Sequence, residues 1–295
     1  MRWISRKGKP MKKVCVISND FKDKDLALTT RITNFLNERG CETVVTMTKW
    51  DFDKEEWTKP EGIPADADCI LVLGGDGTLL QAARHSYGLH IPLLGINLGT
   101  LGFLTEVDSD SLEDALQQLL DGDYSVEDRM MLEGTVLTRD GTTVTSVALN
   151  DIVVNRTGSL QIVRFDVWLN NTLLKRYNAD GCIVSTPTGS TGYNLSAGGP
   201  VIDPTSDAMV MTNICPHNLF NRGIVLSGKK LITIVIPGDR QGRNQQVEAT
   251  FDGCFKVKLN TGDCLNITMA PCTTKIIRLE PTSFMEILHK KMSLS

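Results

Sequence analysis

The sequence has no long apolar run and no excess of basic residues. No apolar stretch approaches the ~18 residues that a helix needs to cross a bilayer, which argues against membrane-spanning helices. The formal net charge is -4 at pH 7, so the chain lacks the basic surplus that is typical of general nucleic-acid binders. We therefore expect neither a membrane nor a nucleic acid among its partners.

The sequence also has no internal repeat, no low-complexity segment and no secretory signal. The basic residues of positions 1–10 precede no apolar segment of the kind that a signal peptide requires. We expect residues 1–10 to form a loose basic tail, and Met11 is an alternative start to Met1. The remaining length is sufficient for one large domain or two medium ones.

The eight cysteines include no Cys-x-x-Cys pair. Three of them, Cys15, Cys69 and Cys182, lie inside apolar runs, where cysteine packs as a small hydrophobic residue. A disulfide framework is not expected in a chain this long, and a zinc site would need paired ligands. This pattern predicts free thiols in a reducing, cytoplasmic environment.

The first part of the chain alternates strand and helix patterns. Apolar positions with a helical period over residues 28–36, ended by Gly40, and again after Ser111, predict helices between short apolar strands. Such alternation is typical of a parallel sheet with helices on both faces. We therefore predict a doubly wound α/β domain over residues 11–125.

From residue 126 the pattern changes to short β-rich runs separated by turn residues. This spacing predicts an antiparallel, β-sandwich-like domain over residues 126–270. A last strand at 275–279 and a short helix at 284–289 are predicted to return to the first domain, so that about 271–295 belongs to it. The fold class is therefore α/β plus all-β. The predicted β runs of the second domain are 135–137, 143–148, 152–154, 162–169, 182–184, 231–236, 247–251, 255–259 and 265–269.

A glycine cluster follows the apolar strand Ile70–Leu73 and precedes a helix pattern. Gly74, Gly75 and Gly77 allow a ligand to approach the backbone, and Thr78 opens the helix. A strand, a glycine turn and a helix N-terminus together form an anion site, which phosphate commonly occupies. The alternative interpretation is a plain βα turn in which an aspartate caps the helix.

Asp76 places a carboxylate inside this predicted phosphate site. It would repel a bare phosphate unless a cation lies between them, or unless it faces a hydroxyl that must lose a proton. Both explanations indicate phosphoryl transfer. Asn97 follows the next predicted strand, so Asp76 and Asn97 are expected at one edge of the sheet. The turn contains no Walker lysine and is not a P-loop.

A second unusual stretch, residues 178–200, runs from a predicted strand into a loop rich in hydroxyls and glycine. Its hydroxyl and backbone groups can hydrogen-bond a nucleotide while Tyr193 stacks on a base, although a solvated turn is the simpler interpretation. Asn150 and Asp151 interrupt a β run, and polar residues there need a reason such as a bulge or a ligand.

Taken together, the residue 74–78 motif, the 97–103 loop, Asn150-Asp151 and the 180–200 stretch resemble the NAD kinase family. The similarity extends from Met11 to the carboxyl end, and the 188–193 segment is its most specific part. The resemblance implies transfer of the γ-phosphoryl group of ATP to the 2′-hydroxyl of the adenosine ribose of NAD. It also implies a divalent cation, normally Mg²⁺, and a homo-oligomer, either dimer or tetramer.

Positions that match the family's motifs receive expected roles. Asp76 resembles the proton acceptor and also contacts NAD. We expect no metal ligand among the protein's own residues. Cys254 stands at a position where some members of the family have a side chain with a polar amide. The expected NAD-binding residues are Asp76, Gly77, Asn150, Asp151, Asp180, Thr191, Gly192, Tyr193 and Ser196. The expected phosphate or ATP ligands are Gly74, Gly75, Gly77, Thr78 and Arg84, the last being equally consistent with a solvated side chain.

Two other functions remain open from the sequence alone. A lipid or sugar kinase would share only the glycine-aspartate motif and would give Asn150 no role. A non-catalytic dinucleotide-binding regulator would not need the carboxylate of Asp76. His85 and His90 are interpreted as ordinary surface or loop residues, and His217 as a turn or packing residue.

Overall fold

The computed structural model describes residues 8–19, 22–48, 50–51, 56–98, 102–108, 110–158, 162–217, 222–279 and 284–293. The chain forms two compact units, Met1–Arg129 with Thr273–Ser295, and Met130–Cys272. No helix within the described ranges has the length and apolar character to cross a membrane.

Over the described ranges the chain forms strands, α-helices and short 3₁₀ turns at Lys24–Leu26 and Thr188–Thr191. The strands are β1 Lys13–Asn19, β2 Glu42–Thr48, β3 Trp50–Asp51, β4 Glu56–Trp57, β5 Cys69–Leu73, β6 Leu93–Ile96, β7 Ser125–Arg129, β8 Leu132–Leu137, β9 Thr143–Ala148, β10 Asp151–Arg156, β11 Val163–Leu169, β12 Thr172–Ala179, β13 Gly181–Ser185, β14 Ala208–Ile214, β15 Ile224–Ser227, β16 Ile232–Val235, β17 Gln246–Phe251, β18 Phe255–Asn260, β19 Cys264–Met269 and β20 Thr274–Arg278. The helices are α1 Ala27–Glu38, α2 Asp76–His85, α3 Leu112–Asp121, α4 Tyr193–Ser196 and α5 Phe284–Met292.

The first unit is built on a six-stranded sheet with the order β2-β1-β5-β6-β20-β7. Neighbouring strands run parallel except β20 and β7, which pair antiparallel. Strands β5 and β6 are apolar and fully buried, as expected for central strands of a parallel sheet covered on both faces. Helix α1 ends as predicted, with Gly40 in the left-handed region at φ 78° just after Arg39.

The second unit consists of two six-stranded antiparallel sheets, β15-β14-β13-β10-β17-β18 and β12-β11-β16-β19-β8-β9. Alternate residues of both sheets form one hydrophobic core, in which Phe165 and Phe251 are the largest fully buried side chains. The predicted fold class is therefore confirmed, including the return of β20 to the first sheet.

Several strands were not predicted from the sequence, namely β3, β4, β7, β12, β14 and β15. Strand β7 (sequence SVEDR) and strand β12 (sequence TLLKRYNA) carry many charged or polar residues, so neither presents a clean apolar run. Both lie at sheet edges, where polar side chains are tolerated because one flank remains unpaired. The pattern of apolar residues in the sequence identifies central strands better than edge strands for this reason.

Candidate active site

The glycine turn joins the carboxyl end of β5 to the start of α2. Gly75 is the N-cap residue, Asp76 is the first helical residue, and no side chain caps this helix. A Cβ on Gly74 would lie 2.3 Å from Oγ1 of Thr78, so the turn needs glycine for a steric reason. Asp76 is thus not the cap that the plain-turn interpretation requires.

The carboxylate of Asp76 is held by backbone N–H groups of the segment 102–105. Oδ2 accepts a hydrogen bond from Phe103 N at 2.8 Å, and Oδ1 accepts from Leu104 N at 3.1 Å and Thr105 N at 3.2 Å. A Cβ on Gly102 would lie 1.8 Å from Oδ1 of Asp76, so only glycine fits there. Hydrogen bonds to a charged acceptor are strong and directional, and these fix the orientation of the carboxylate.

Asn97 follows β6 at the same edge of the sheet. Leu73 of β5 lies opposite Ile96 of β6, so the turn and Asn97 leave adjacent parallel strands at their carboxyl ends. Asn97 is buried and its N–H donates to Val107 O at 2.7 Å. Residues 99–101 of the predicted 97–103 loop lie outside the described residues.

Glu106 ties the segment around Asp76 to the last strand of the sheet. Its carboxylate accepts a hydrogen bond from Leu279 N at 2.9 Å and forms an ion pair with Arg278 at 3.3 Å. Arg278 also pairs with Glu127 of β7 at 3.1 Å. The neighbouring charges of Arg129 and Arg278 lower the pKa of Glu127 against the opposing effect of burial. This buried ion network braces the backbone next to the 102–105 segment.

Lys22 is a candidate phosphate ligand that the sequence analysis missed. Its ammonium lies 3.3 Å from Oγ1 of Thr78 and 4.0 Å from the position of a Cβ on Gly75, directly over the glycine turn. The side chain is exposed and follows β1, which neighbours β5 in the sheet. The carboxyl ends of parallel strands meet at one edge of the sheet. The position of Lys22 just after β1 therefore indicates, from the sequence, that it lies near the glycine turn after β5.

Arg84 lies away from the turn. It is in the last turn of α2, eight residues after Asp76 or about 12 Å along the helix axis. One guanidinium nitrogen lies 3.3 Å from Nε2 of His85. His85 is half-buried, unlike the surface residue that was predicted, and burial with the Arg84 charge lowers its pKa to about 4. The geometry separates Arg84 from the glycine turn, to which the sequence analysis assigned it as a phosphate ligand.

Asp252 organises the polar residues at the start of β10. Its Oδ2 accepts from Leu149 N at 2.8 Å, and its Oδ1 accepts from Asn150 N at 2.7 Å and Asp151 N at 3.1 Å. This residue was not predicted as part of a site. It lies about a hundred residues away in the sequence, and no local pattern links it to Asn150.

Asn150 and Asp151 present buried polar groups at the start of β10. Oδ1 of Asn150 is buried and has no hydrogen-bond partner in the described part of the chain. Asp151 is 6% exposed, and burial followed by the charge of Asp252 raises the pKa of its carboxyl to about 7. Buried polar atoms normally have partners, so these acceptors are suited to a ligand that brings hydrogen-bond donors.

The hydroxyl-rich stretch packs directly against Asn150. Thr186 donates to Leu149 O at 2.6 Å, and a Cβ on Gly189 would lie 2.2 Å from Asn150 O. The same stretch is internally fixed by Asn194, whose amide donates to Ser190 O and Pro200 O at 3.0 Å each. It is therefore a constrained structural element beside Asn150, which a loose solvated turn would not be.

The predicted nucleotide residues of this stretch differ in exposure. Tyr193 is 43% exposed, and Ser196 is also exposed, so both can meet a ligand. The half-buried Thr191 donates to Thr188 O at 3.3 Å, and Gly192 N donates to Gly189 O at 2.9 Å. The first two side chains are thus accessible, whereas Thr191 and Gly192 maintain the shape of the turn.

Asp180 lies at the opposite end of the same strand pair from Asp151. In the antiparallel register Asp151 faces Ser185 and Asn155 faces Gly181, which places Asp180 about 17 Å from Asp151 along the strand. Its carboxylate pairs with Arg156 at 3.3 Å. The structure therefore does not bring Asp180 together with Asn150 and Asp151 within one chain.

Cys254 and His217 have the modest roles that the sequence indicated. The thiol of Cys254 lies 3.2 Å from Asp252 O and is half-buried. His217 is exposed and its N–H donates to Asn178 O at 2.9 Å. Cys254 therefore lies beside Asp252, which holds the backbone of Asn150 and Asp151.

Comparison with known proteins identifies both units. Residues 14–124 match the model of the ATP-NAD kinase N-terminal domain, and residues 149–279 match that of the ATP-NAD kinase C-terminal domain. The chain is 44% identical over 282 residues to the NAD kinase of Agathobacter rectalis, covering 96% of this chain and 99% of that protein. It is 39% identical over 284 residues to the NAD kinase of Lachnoclostridium phytofermentans, covering 95% and 99%.

Solved structures share the fold. A yeast NADH kinase complexed with NADH matches with a TM-score of 0.78 at 24% identity, over 97% of this chain and 88% of that chain. An NAD kinase from Archaeoglobus fulgidus in complex with ATP matches with a TM-score of 0.76 at 23% identity, over 96% of this chain and 100% of that one.

None of these matches supports a lipid or sugar kinase or a non-catalytic regulator. The two domain matches cover most of the chain, and the full-length relatives are similar in both units. The chain belongs to the NAD kinase family and is an ATP-dependent enzyme that phosphorylates the adenosine ribose of NAD at its 2′-hydroxyl to give NADP.

Proposed function

We propose that Asp76 is the proton acceptor of this NAD kinase. The observation that supports it is the fixed carboxylate at the glycine turn, oriented by three N–H groups. In the reaction a bond forms between the ribose O2′ and the γ-phosphorus of ATP, and the bond from that phosphorus to the bridging oxygen of ADP breaks. The 2′-hydroxyl proton passes to Asp76.

The glycine turn and Lys22 are proposed to bind the phosphates of ATP. The first N–H groups of α2, at Asp76 and Gly77, have no partner within the helix and point outward at its positive end. Gly74 and Gly75 permit close approach, and Thr78 orients the ammonium of Lys22 over them. Lys22 thereby supplies the positive charge that the motif itself lacks.

Asn150 and Asp151 are proposed to bind the adenosine end of NAD. The unpartnered Oδ1 of Asn150 and the buried carboxyl of Asp151 accept hydrogen bonds from its hydroxyl or amino donors. Tyr193 offers an exposed ring for stacking, and Ser196 an exposed hydroxyl. Asp252 positions this group through the backbone.

The divalent cation is proposed to be Mg²⁺ that arrives bound to ATP. Within the described ranges, no group of three or more His, Cys, Asp or Glu side chains is arranged to hold a metal ion. Mg²⁺ dehydrates reluctantly and in kinase sites is bound largely by substrate phosphates and waters, which agrees with the expectation of no metal ligand from the protein. The ion would neutralise charge between the phosphates and the carboxylate of Asp76.

A homo-oligomer, dimer or tetramer, and a cytoplasmic location are also proposed. Asp180 and Asp151 lie about 17 Å apart along one strand pair, so a second copy is a simple source of Asp180 for the same dinucleotide. Mixing the inactive variants Asn150→Ala and Asp180→Ala should then restore some activity.

All eight cysteines are free, which is usual in a reducing compartment.

The direct test of the proposed roles is an NADP-forming assay with the purified chain, ATP, Mg²⁺ and NAD. Lys22→Gln should raise KM for ATP at least tenfold with a smaller effect on KM for NAD, because only the triphosphate meets the lysine. Lys24→Gln is the matched control, since this exposed lysine is two residues along the chain. Equal KM values for ATP in both variants would contradict a phosphate role for Lys22.

A further inference from the structure

A second concave site lies in the Met130–Cys272 unit, beside Arg156 and its ion-pair partner Asp180. It is a cavity of about 910 Å³ lined by four arginines, Arg156, Arg164, Arg240 and Arg243, and we call it the arginine pocket. Arg156 ends β10, whereas Asp151 begins it, so the pocket lies about 17 Å along the strand from Asp151.

The floor of the pocket is fixed by Gln245, which is 9% exposed. Its Oε1 accepts from Arg164 N at 2.9 Å, and its Nε2 donates to Arg164 O at 3.1 Å and Pro237 O at 2.6 Å. These bonds join the start of β11 to the segment between β16 and β17. The backbone of Arg164 is therefore fixed at the pocket.

The pocket has a positive excess, carried by the two arginines that are not paired with carboxylates of the described residues. Asp239 is the one acidic residue among its lining residues, and it pairs with Arg243 at 2.7 Å, while Arg156 pairs with Asp180. Within the described part of the chain, Arg164 and Arg240 form no ion pair. The chain has a net charge of -4, and yet four arginines lie around one concavity. Their positive electrostatic potentials reinforce one another there and attract anions.

Size and donor geometry indicate the class of ligand. A cavity of about 910 Å³ is in the range of small-molecule sites and is much larger than a single phosphate needs. Guanidinium groups bind phosphate oxygens through paired N–H donors, and several arginines on different segments suit a group with several such oxygens.

We propose that the arginine pocket is an anion site at the Arg156 end of β10, about 17 Å along the strand from Asp151, and that it binds the diphosphate group of a small molecule. The proposal concerns binding alone and does not depend on the catalytic roles given above. Inorganic pyrophosphate and nucleoside diphosphates share this chemistry, and the experiment distinguishes them.

The test is calorimetric titration of pyrophosphate into the full-length chain without NAD or ATP. All proteins carry Lys22→Gln, so that the glycine turn contributes little. Adding Arg164→Gln with Arg240→Gln should weaken pyrophosphate binding at least tenfold. Arg139→Gln with Arg176→Gln is the matched control, because it removes two exposed arginines of the same unit outside the pocket and should leave the affinity unchanged.

A parallel titration with ADP identifies the source of the diphosphate. Affinity more than tenfold above that of pyrophosphate, lost on adding Arg164→Gln with Arg240→Gln, would assign a nucleotide to the pocket, whereas equal losses of ADP and pyrophosphate affinity from similar starting values would assign the diphosphate group alone. The proposal is overturned if millimolar pyrophosphate does not bind, or if both double variants lose affinity equally. It is also overturned if Arg164→Gln with Arg240→Gln, in a chain with native Lys22, raises KM for NAD tenfold, since the pocket would then belong to the substrate site. Melting temperatures of the variants check that each remains folded.

Discussion

At the scale of single residues, the arrangement around Asp76 explains how a carboxylate can function beside phosphates. Its two oxygens are oriented by N–H donors from Phe103, Leu104 and Thr105, and Gly102 leaves room for the contact. The residue is therefore held in one orientation before any substrate arrives, which is what a positioned base requires.

Asp76→Asn should lower kcat by at least ~10²-fold, and it should also cost about 1–3 kcal/mol of stability because one of the three backbone donors would face the amide NH₂ group. The amide has nearly the same shape but cannot accept the 2′-hydroxyl proton. Steady-state kinetics and thermal melting of the purified variant would measure both quantities. A variant with wild-type kcat would show that another group accepts the proton.

Asp151 should make the stability of the ligand-free chain depend on pH. Its pKa is about 7 in the folded state and about 4 when unfolded, so the folded state binds the extra proton between these values and stability falls as pH rises through that window. Asp151→Asn removes this loss, which is at most roughly 4 kcal/mol. The variant should melt higher than wild type at pH 8 and similarly at pH 4.5. Identical pH profiles for the two proteins would argue against a raised pKa.

The motif residues could be predicted from the sequence, but their partners could not. Asp76 stands out because carboxylates rarely sit in glycine-rich phosphate turns, and that signal is local. Lys22 and Asp252 are separated from their partners by 56 and about a hundred positions, and only the sheet arrangement brings them close. Arg84 is close to the glycine turn in the sequence but distant from it in space, because helix α2 separates the two.

At the scale of elements, the turn between β9 and β10 depends on one distant carboxylate. Asp252 follows β17, the neighbour of β10, and receives three consecutive N–H groups from residues 149–151. These hydrogen bonds explain why polar residues can interrupt a β run. The interruption was visible in the sequence, but its cause, Asp252, was not.

Asp252→Asn should weaken NAD binding and destabilise the fold by about 1–3 kcal/mol, because one backbone donor would face the amide NH₂ group. Asp263→Asn is the matched control. Asp263 is 3% exposed and likewise accepts N–H groups, from Arg139 and Asn260 at 2.7 Å each. The control should lose comparable stability without a comparable change in Kd for NAD, as measured by titration. Equal changes in Kd would mean that Asp252 has no specific role in the site.

Central strands were predicted better than edge strands. Strands β5, β10 and β13 are apolar runs because sheets bury them on both flanks, and the sequence pattern follows directly. The edge strands β7, β12 and β15 are more polar or partly exposed, and they form because a neighbouring strand supplies a hydrogen-bonding partner. That partner is a tertiary property which no short window of sequence contains.

At the scale of the whole molecule, NAD should stabilise the chain through preferential binding to the folded state. At a concentration of 100 times Kd the expected gain is about 2.7 kcal/mol, which raises the melting temperature by several degrees. Asn150→Ala should abolish most of this rise, whereas Asn266→Ala, on β19, should retain it. Scanning fluorimetry with and without NAD measures the shift. An unchanged rise in Asn150→Ala would place the adenosine end of NAD elsewhere.

The position of β20 has a consequence for how the protein is made. Strand β7 pairs with β20, and β6 pairs with β5 on one side and β20 on the other, so β20 joins two strands made much earlier. On the ribosome, the first sheet must wait for about 145 further residues after β7 before it can close. Meanwhile β6 presents an open edge, the kind of surface to which other strands add. The second unit is continuous in the chain and can fold during this interval, so its rate of folding governs how long the open edge persists.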